Sequence, residues 1–226
     1  MDKERLQSKI ADILKYKERL KNEQQTKNVM IEPVLREIGY DTSNPYEVLC
    51  EYTTDYGIKN GEKVDYALFD RFGELGIIIE AKAVGAKLTE ENRGQLFRYY
   101  SVCKAKLAIL TNGEEYRFYM DLEKENLMDE VPFYILDINE VTEEDIEFLN
   151  RIARCNYDID KLREYVQIRE LRYKVNDYFN HMVIVPDKDF VEFIQRKFKG
   201  EGIEYGIVSD IIKKELSQYI SLKSIE

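Results

Sequence analysis

The sequence predicts an α/β (α+β) core followed by a helical region, and three observations lead there. Apolar residues at helical spacing open the chain, six short β-rich segments crossed by one helical stretch follow, and from Thr142 onward the spacing is helical again. The core is expected over residues 1–150 and the helical region over residues 151–226.

The elements follow in order. Leu6, Ile10, Ile13, Leu14 and Leu20 recur at helical spacing and predict one helix over 3–22. A second helix is predicted over 26–38, with Val29, Met30, Val34, Leu35 and Ile38 inward, Pro33 as a break or kink, and Gly39 as its stop. Strands are predicted at 46–53, 63–70, 75–82, 106–111, 115–121 and 132–137, with a helix from Thr89 to about Cys103 among them. Asn112-Gly113 marks a hairpin between two of these strands. Helices are predicted at 142–153, 158–180, 187–199 and 207–222; Thr142-x-x-Asp145 has the form of a capping box, and Asp187 is placed to cap the third of these.

Composition narrows the function classes. An apolar fraction of 44% with 11 Gly and 4 Pro is that of a folded chain. Strictly apolar runs stop at four residues, which argues against a membrane span, and the charged start Met1-Asp2-Lys3-Glu4-Arg5 leads into no secretory signal. Three widely spaced cysteines, Cys50, Cys103 and Cys155, point to reduced thiols in a cytoplasm. His181 is the sole histidine, which leaves no room for a multi-histidine zinc site and argues against Ser-His-Asp and Cys-His chemistry. A structural role is expected for it.

The net charge of −10 is unevenly spread. Residues 111–148 hold 13 acidic and 2 basic side chains, whereas residues 81–106 hold 6 basic and 2 acidic ones. The acidic block reads as a solvated face, so a basic surface elsewhere stays open to nucleic acid.

Chemistry is expected at Asp65, Glu80 and Lys82. If strands 63–70 and 75–82 form a hairpin that closes on Asp70 and Leu75, Asp65 lies opposite Glu80, and Lys82 shares Glu80's face. Two facing carboxylates repel unless a cation joins them. Mg²⁺ takes one or two carboxylates plus water and phosphate oxygens, and Lys82 adds a positive charge beside them. That combination suits phosphodiester hydrolysis. A register slip of one residue would send Asp65 to the other face.

Taken in order, N-E-x-x-T-K, L-R-E-I-G-Y-D, K-V-D-Y-A-L, I-I-I-E-A-K, Q-L-F-R-Y and A-I-L-T-N-G resemble the N-terminal nuclease domain of type I restriction enzyme R subunits, in the PD-(D/E)XK nuclease superfamily, over roughly residues 22–138. The resemblance implies a restriction-endonuclease-like mixed sheet flanked by helices, and Mg²⁺- (or Mn²⁺-) dependent DNA cleavage. By position it makes Asp65 and Glu80 metal ligands and Lys82 the catalytic lysine. Gln95 and Tyr99 match the Q-x-x-x-Y helix near the active site and DNA, and Glu23 matches an acid that some members add to the metal, with Glu32 as a competing choice. Gln95 and Tyr99 share a helix face, and Arg93 and Arg98 on the same helix are placed to reach phosphates; the competing reading puts Tyr99 in the core and the arginines in solvent. Thr111-Asn112-Gly113 is expected to be a turn.

Two departures stand out. Val64 precedes Asp65 where proline is common, and no G-x-x-x-x-G-K-[ST] occurs, so no ATP-driven motor is expected and the chain reads as a stand-alone relative. The leading expectation is a DNA endonuclease, with a homodimer through the helical C-terminal region; the alternative is a catalytically silent DNA- or protein-binding module on the same fold.

Overall fold

The computed structural model describes residues 3–53, 63–103, 105–198 and 203–223. The chain divides into two compact units, residues 1–163 and residues 164–226. Among the described residues no helix is long and apolar enough to cross a membrane.

Helix α1 (Lys3–Leu14) opens the first unit. It stops well short of residue 22, and a 3₁₀ turn at Lys17–Arg19 follows. The reason is burial: Leu6, Ile10 and Ile13 are buried, while no residue from Leu14 to Lys21 is. A helix end without a packing face has little to hold it.

The second predicted helix is three segments in one run, α2 (Glu23–Thr26), a π turn (Lys27–Ile31) and α3 (Glu32–Glu37). Pro33 lacks an N–H and its ring crowds the carbonyl four residues back, so the turn before it widens and the run continues. Asn22 caps the start, accepting the Gln25 N–H at 2.9 Å. At the other end Gly39 takes φ +88. The Gly39 and Tyr40 N–H groups donate to Arg36 and Leu35, the two-bond closure that a C′ glycine permits.

Strands β1 (Val48–Tyr52), β2 (Val64–Phe69), β3 (Leu75–Ala81), β4 (Leu107–Thr111), β5 (Glu115–Tyr119) and β6 (Tyr134–Asp137) form one sheet in chain order. All neighbours are antiparallel except β3 and β4, which are parallel. A parallel pair needs a crossover, and α4 (Glu90–Val102) supplies it. Thr89 caps α4 in a box with Asn92. Leu96, Tyr99 and Tyr100 of α4 pack with Ile78, Ala108 and Leu110 of the sheet.

The β2–β3 hairpin closes on Phe69 and Leu75, not on Asp70 and Leu75. Asp70 accepts the N–H groups of Phe72 and Glu74 and caps the turn, and Gly73 adopts φ +83. The ladder then shifts between Leu68 and Phe69, leaving Gly76 as the extra residue of β3. A side chain at Gly76 would meet the Tyr157 ring at 2.7 Å, and its carbonyl accepts the Tyr157 hydroxyl at 3.0 Å. Past this irregularity the pairs are Leu68–Ile77, Ala67–Ile78 and Tyr66–Ile79.

Asn112 and Gly113 do make the β4–β5 hairpin. The Asn112 carboxamide oxygen accepts from Glu114 and Glu115, and Thr111 Oγ1 accepts from Gly113. Helix α5 (Glu143–Ile152) starts on the expected Thr142–Asp145 box. Its Phe148 stacks on Tyr134 at 3.9 Å and meets Phe118 edge-on at 4.7 Å. The acidic block is only partly a solvated face: Asp145 is buried in its cap, and Asp121 is buried where it accepts bonds from Tyr100, Asn126 and Arg163.

Helix α6 (Ile159–Ile184) runs across the boundary between the two units. His181 lies in its last turn and is exposed, so it is not the packed structural histidine expected. In the second unit, α7 (Lys188–Lys197) is capped by Asp187, and Val191 packs with Val208 and Ile212 of α8 (Tyr205–Lys223). Residue 199, the expected end of α7, lies outside the described residues.

Candidate active site

Strands β2 and β3 bring the acids together. Carrying the Tyr66–Ile79 register one residue further sets Asp65 opposite Glu80. The Ala81 N–H donates to Asp65 Oδ2 at 2.6 Å, which fixes that carboxylate against the end of β3. The Lys82 N–H donates to the Thr111 carbonyl at 2.8 Å and extends the β3–β4 ladder, so the backbone under Lys82 is held as well. The Lys82 ammonium is bonded to Glu80 Oε1. Asp65, Glu80 and Lys82 thus meet at one corner.

Glu80 is 2% exposed, and its second oxygen, Oε2, is buried without a hydrogen-bond partner. Burial pushes its carboxyl up to about 7; the Lys82 hydrogen bond pulls the other way, and the charges of Asp65 and Glu23 add to the rise. A buried carboxylate oxygen left without a donor is costly unless something fills its lone pairs.

The residue that sequence reasoning leaves without a role is Lys27, the last letter of N-E-x-x-T-K. Its ammonium is bonded to Asp65 Oδ1 and stands 3.4 Å from Glu23 and 3.6 Å from Glu51. Burial works to lower its pKa, but the bond to Asp65 and the charges of Asp65 and Glu23 outweigh that and hold it above the ordinary lysine value. The four-residue spacing of Glu23 and Lys27 is visible in the sequence. Their meeting with Asp65 and Glu51 is tertiary and is not. Glu23 therefore joins the acidic corner, whereas Glu32 is engaged elsewhere, with Tyr66 and Arg36.

Three motifs lock this corner together. Thr26 Oγ1 accepts the Val84 N–H at 2.9 Å, which pins α2 to the turn after β3. The Asn112 amide donates to the Ala86 carbonyl at 2.9 Å and holds the same turn from the other side. Gly113 lets the β4–β5 hairpin close on Thr26 and Met30, which a Cβ there would meet at 2.9 and 3.0 Å.

The crossover returns α4 antiparallel to β3, so its first turns lie over the strand end that carries Glu80 and Lys82. Gln95 is half-buried in that part of α4. Tyr99, one turn on, is fully buried in the core, where its ring packs against the sheet. Arg93 is paired with Glu90 at 2.7 Å, and Arg98 is exposed, donating to the Gly94 carbonyl at 3.1 Å.

The donor set fits a hard divalent ion. Among the described residues no three Asp, Glu, Cys or His side chains form a ready-made cage. Two carboxylates with an unfilled buried oxygen are what Mg²⁺ takes when water and phosphate supply its other ligands.

The chain is similar in structure to the protein of a cryo-EM DrdV–DNA complex, at a TM-score of 0.46 and 13% identity, over 84% of this chain and 16% of that one. It therefore spans about a sixth of the length of that protein. No curated protein matches. Residues 22–132 match the family described as type I restriction enzyme R protein N terminus, a range that contains Glu23, Lys27, Glu51, Asp65, Glu80 and Lys82. Over residues 22–132 the chain is thus similar to the N-terminal part of type I restriction enzyme R proteins.

Proposed function

We propose that this chain is a Mg²⁺- (or Mn²⁺-) dependent deoxyribonuclease that hydrolyses phosphodiester bonds in DNA. The observation that carries the reading is the buried, unpartnered Glu80 Oε2 beside Asp65, with the Lys82 ammonium on Glu80's other oxygen. The similarity of residues 22–132 to the type I restriction enzyme R protein N terminus supports it.

Asp65 and Glu80 would hold the ion, with Glu23 in the same corner beside Lys27. The bound ion would lower the pKa of the attacking water and neutralise charge on the phosphoryl oxygens. Lys82, fixed through its backbone and by Glu80, presents an ammonium where water and a phosphate oxygen meet. Asp65 is held against the end of β3 by the Ala81 N–H, which fixes the carboxylate beside Glu80's strand. Gln95, half-buried in the first turns of α4, would touch DNA, with Arg93 and Arg98 of the same helix reaching phosphates.

The test is cleavage of plasmid and linear DNA with Mg²⁺ or Mn²⁺. We expect Asp65→Asn, Glu80→Gln and Lys82→Ala each to lower the rate by roughly 10²-fold or more. Folded protein that leaves every DNA intact with both metals, yet binds DNA or a protein partner equally well as Lys82→Ala, would establish the silent binding module instead.

A further inference from the structure

The side chain of Lys27 is only 8% exposed, and it meets carboxylates from three elements: Glu23 of α2, Glu51 of β1 and Asp65 of β2. Asp65 Oδ2 accepts the Ala81 N–H and Oδ1 carries Lys27, so a cation that takes Oδ1 competes with the ammonium for it. Glu51 adopts φ +52, a left-handed conformation unusual for a glutamate, and also lies 3.9 Å from Lys63. The buried pair of Lys27 and Asp65 is thus flanked by two partly exposed acids, Glu23 and Glu51.

We propose that Lys27 is the counter-ion of this cluster and that a divalent cation binds by exchange with it, the ion taking Asp65 Oδ1 and the ammonium moving off. This rests on the reading of Asp65 and Glu80 as metal ligands. The physical argument is repulsion. A +1 and a +2 charge a few ångströms apart on the buried Asp65 repel more strongly than the same pair in bulk solvent, so the two compete for its Oδ1. Without the ion, Lys27 offsets the mutual repulsion of Glu23, Glu51 and Asp65 and keeps the corner assembled.

The experiment is a Mn²⁺ titration of the intact chain without DNA, reading free Mn²⁺ by electron paramagnetic resonance, alongside thermal melts with and without the ion. Lys27→Met and Lys27→Gln are expected to bind Mn²⁺ roughly tenfold more tightly than the unaltered protein, or better. They should also melt earlier without Mn²⁺ and gain more from it. Asp65→Asn should bind weakly. Where Lys27→Met does not fold, Lys27→Gln keeps a hydrogen-bonding end without the charge, and a variant whose folding Mn²⁺ restores also supports the exchange. If the unaltered protein binds Mn²⁺ through Asp65 and a folded Lys27 variant binds it no more tightly, the exchange is wrong and the metal site stands. If neither binds Mn²⁺, the metal site falls and the exchange with it.

Discussion

At Glu80 burial and function pull against each other. Its folded pKa of about 7 lies above the ordinary 4.5, so the folded protein holds a proton that the unfolded chain has released between those values. The stability from this group is complete below pH 4.5 and is lost as pH rises through 7. In chelator, raising the pH from 5 to 8 should therefore lower the melting temperature. Glu80→Gln should flatten that slope and stabilise the protein at pH 8 by up to about 3 kcal/mol, read from denaturant unfolding across the pH range. Identical slopes in the two proteins would show that Glu80 does not titrate in this window. Asp65, Glu80 and Lys82 are legible in the sequence because strand alternation and one hairpin place them. Lys27 and Glu51 are not, since the helical run and the sheet edge meet only after packing. Tyr99 shows the converse: its spacing from Gln95 is right, but the helix turns that stripe into the core.

Among the elements, local chemistry reads true wherever a short-range signal sets the geometry. Gly39, Thr142 with Asp145, Asp187 and the Asn112-Gly113 turn are cases in which one side chain or one glycine decides. Departures arise where tertiary forces decide: α1 ends early for want of a buried face, Pro33 widens a turn without breaking the run, and Gly76 moves the hairpin closure by one residue. That last shift leaves Asp65 opposite Glu80, because the extra residue is absorbed near the turn. The β4–β5 hairpin gives the sharpest test. Gly113 sits at φ +84 with Thr26 Cγ2 at 2.9 Å from where a Cβ would stand. Gly113→Ala should cost about 1–3 kcal/mol in urea unfolding and, by pushing α2 away, reduce cleavage as well. Unchanged stability would mean that the hairpin and α2 part freely.

On the scale of the whole chain, the two units differ in what holds them. Residues 1–163 contain a six-stranded sheet whose β4 is buried throughout, whereas among the described residues of 164–226 the buried hydrophobic side chains are Val166, Met182, Val191, Val208 and Ile212. Phe193, Phe198, Ile207 and Ile211 are exposed. Cutting both strands of a duplex calls for two sites, and we propose that α7 and α8 supply a homodimer contact; sedimentation should show a dimer at micromolar concentration that Phe193→Glu converts to monomer, and a monomer throughout would discount it. The order of the strands carries a kinetic consequence. The antiparallel neighbours are joined by shorter connections, but β3 finds β4 only after residues 82–106 have looped back through α4. Joining distant segments is the slow step in assembling a sheet. The segment that must dock for it, α4, is the one over the strand end bearing Glu80 and Lys82, so the corner of Asp65, Glu80 and Lys82 should be the last part of the sheet to mature during refolding. Leu96→Ala, which loosens that docking, should delay the return of activity more than the return of the β5–β6 hairpin followed by hydrogen exchange.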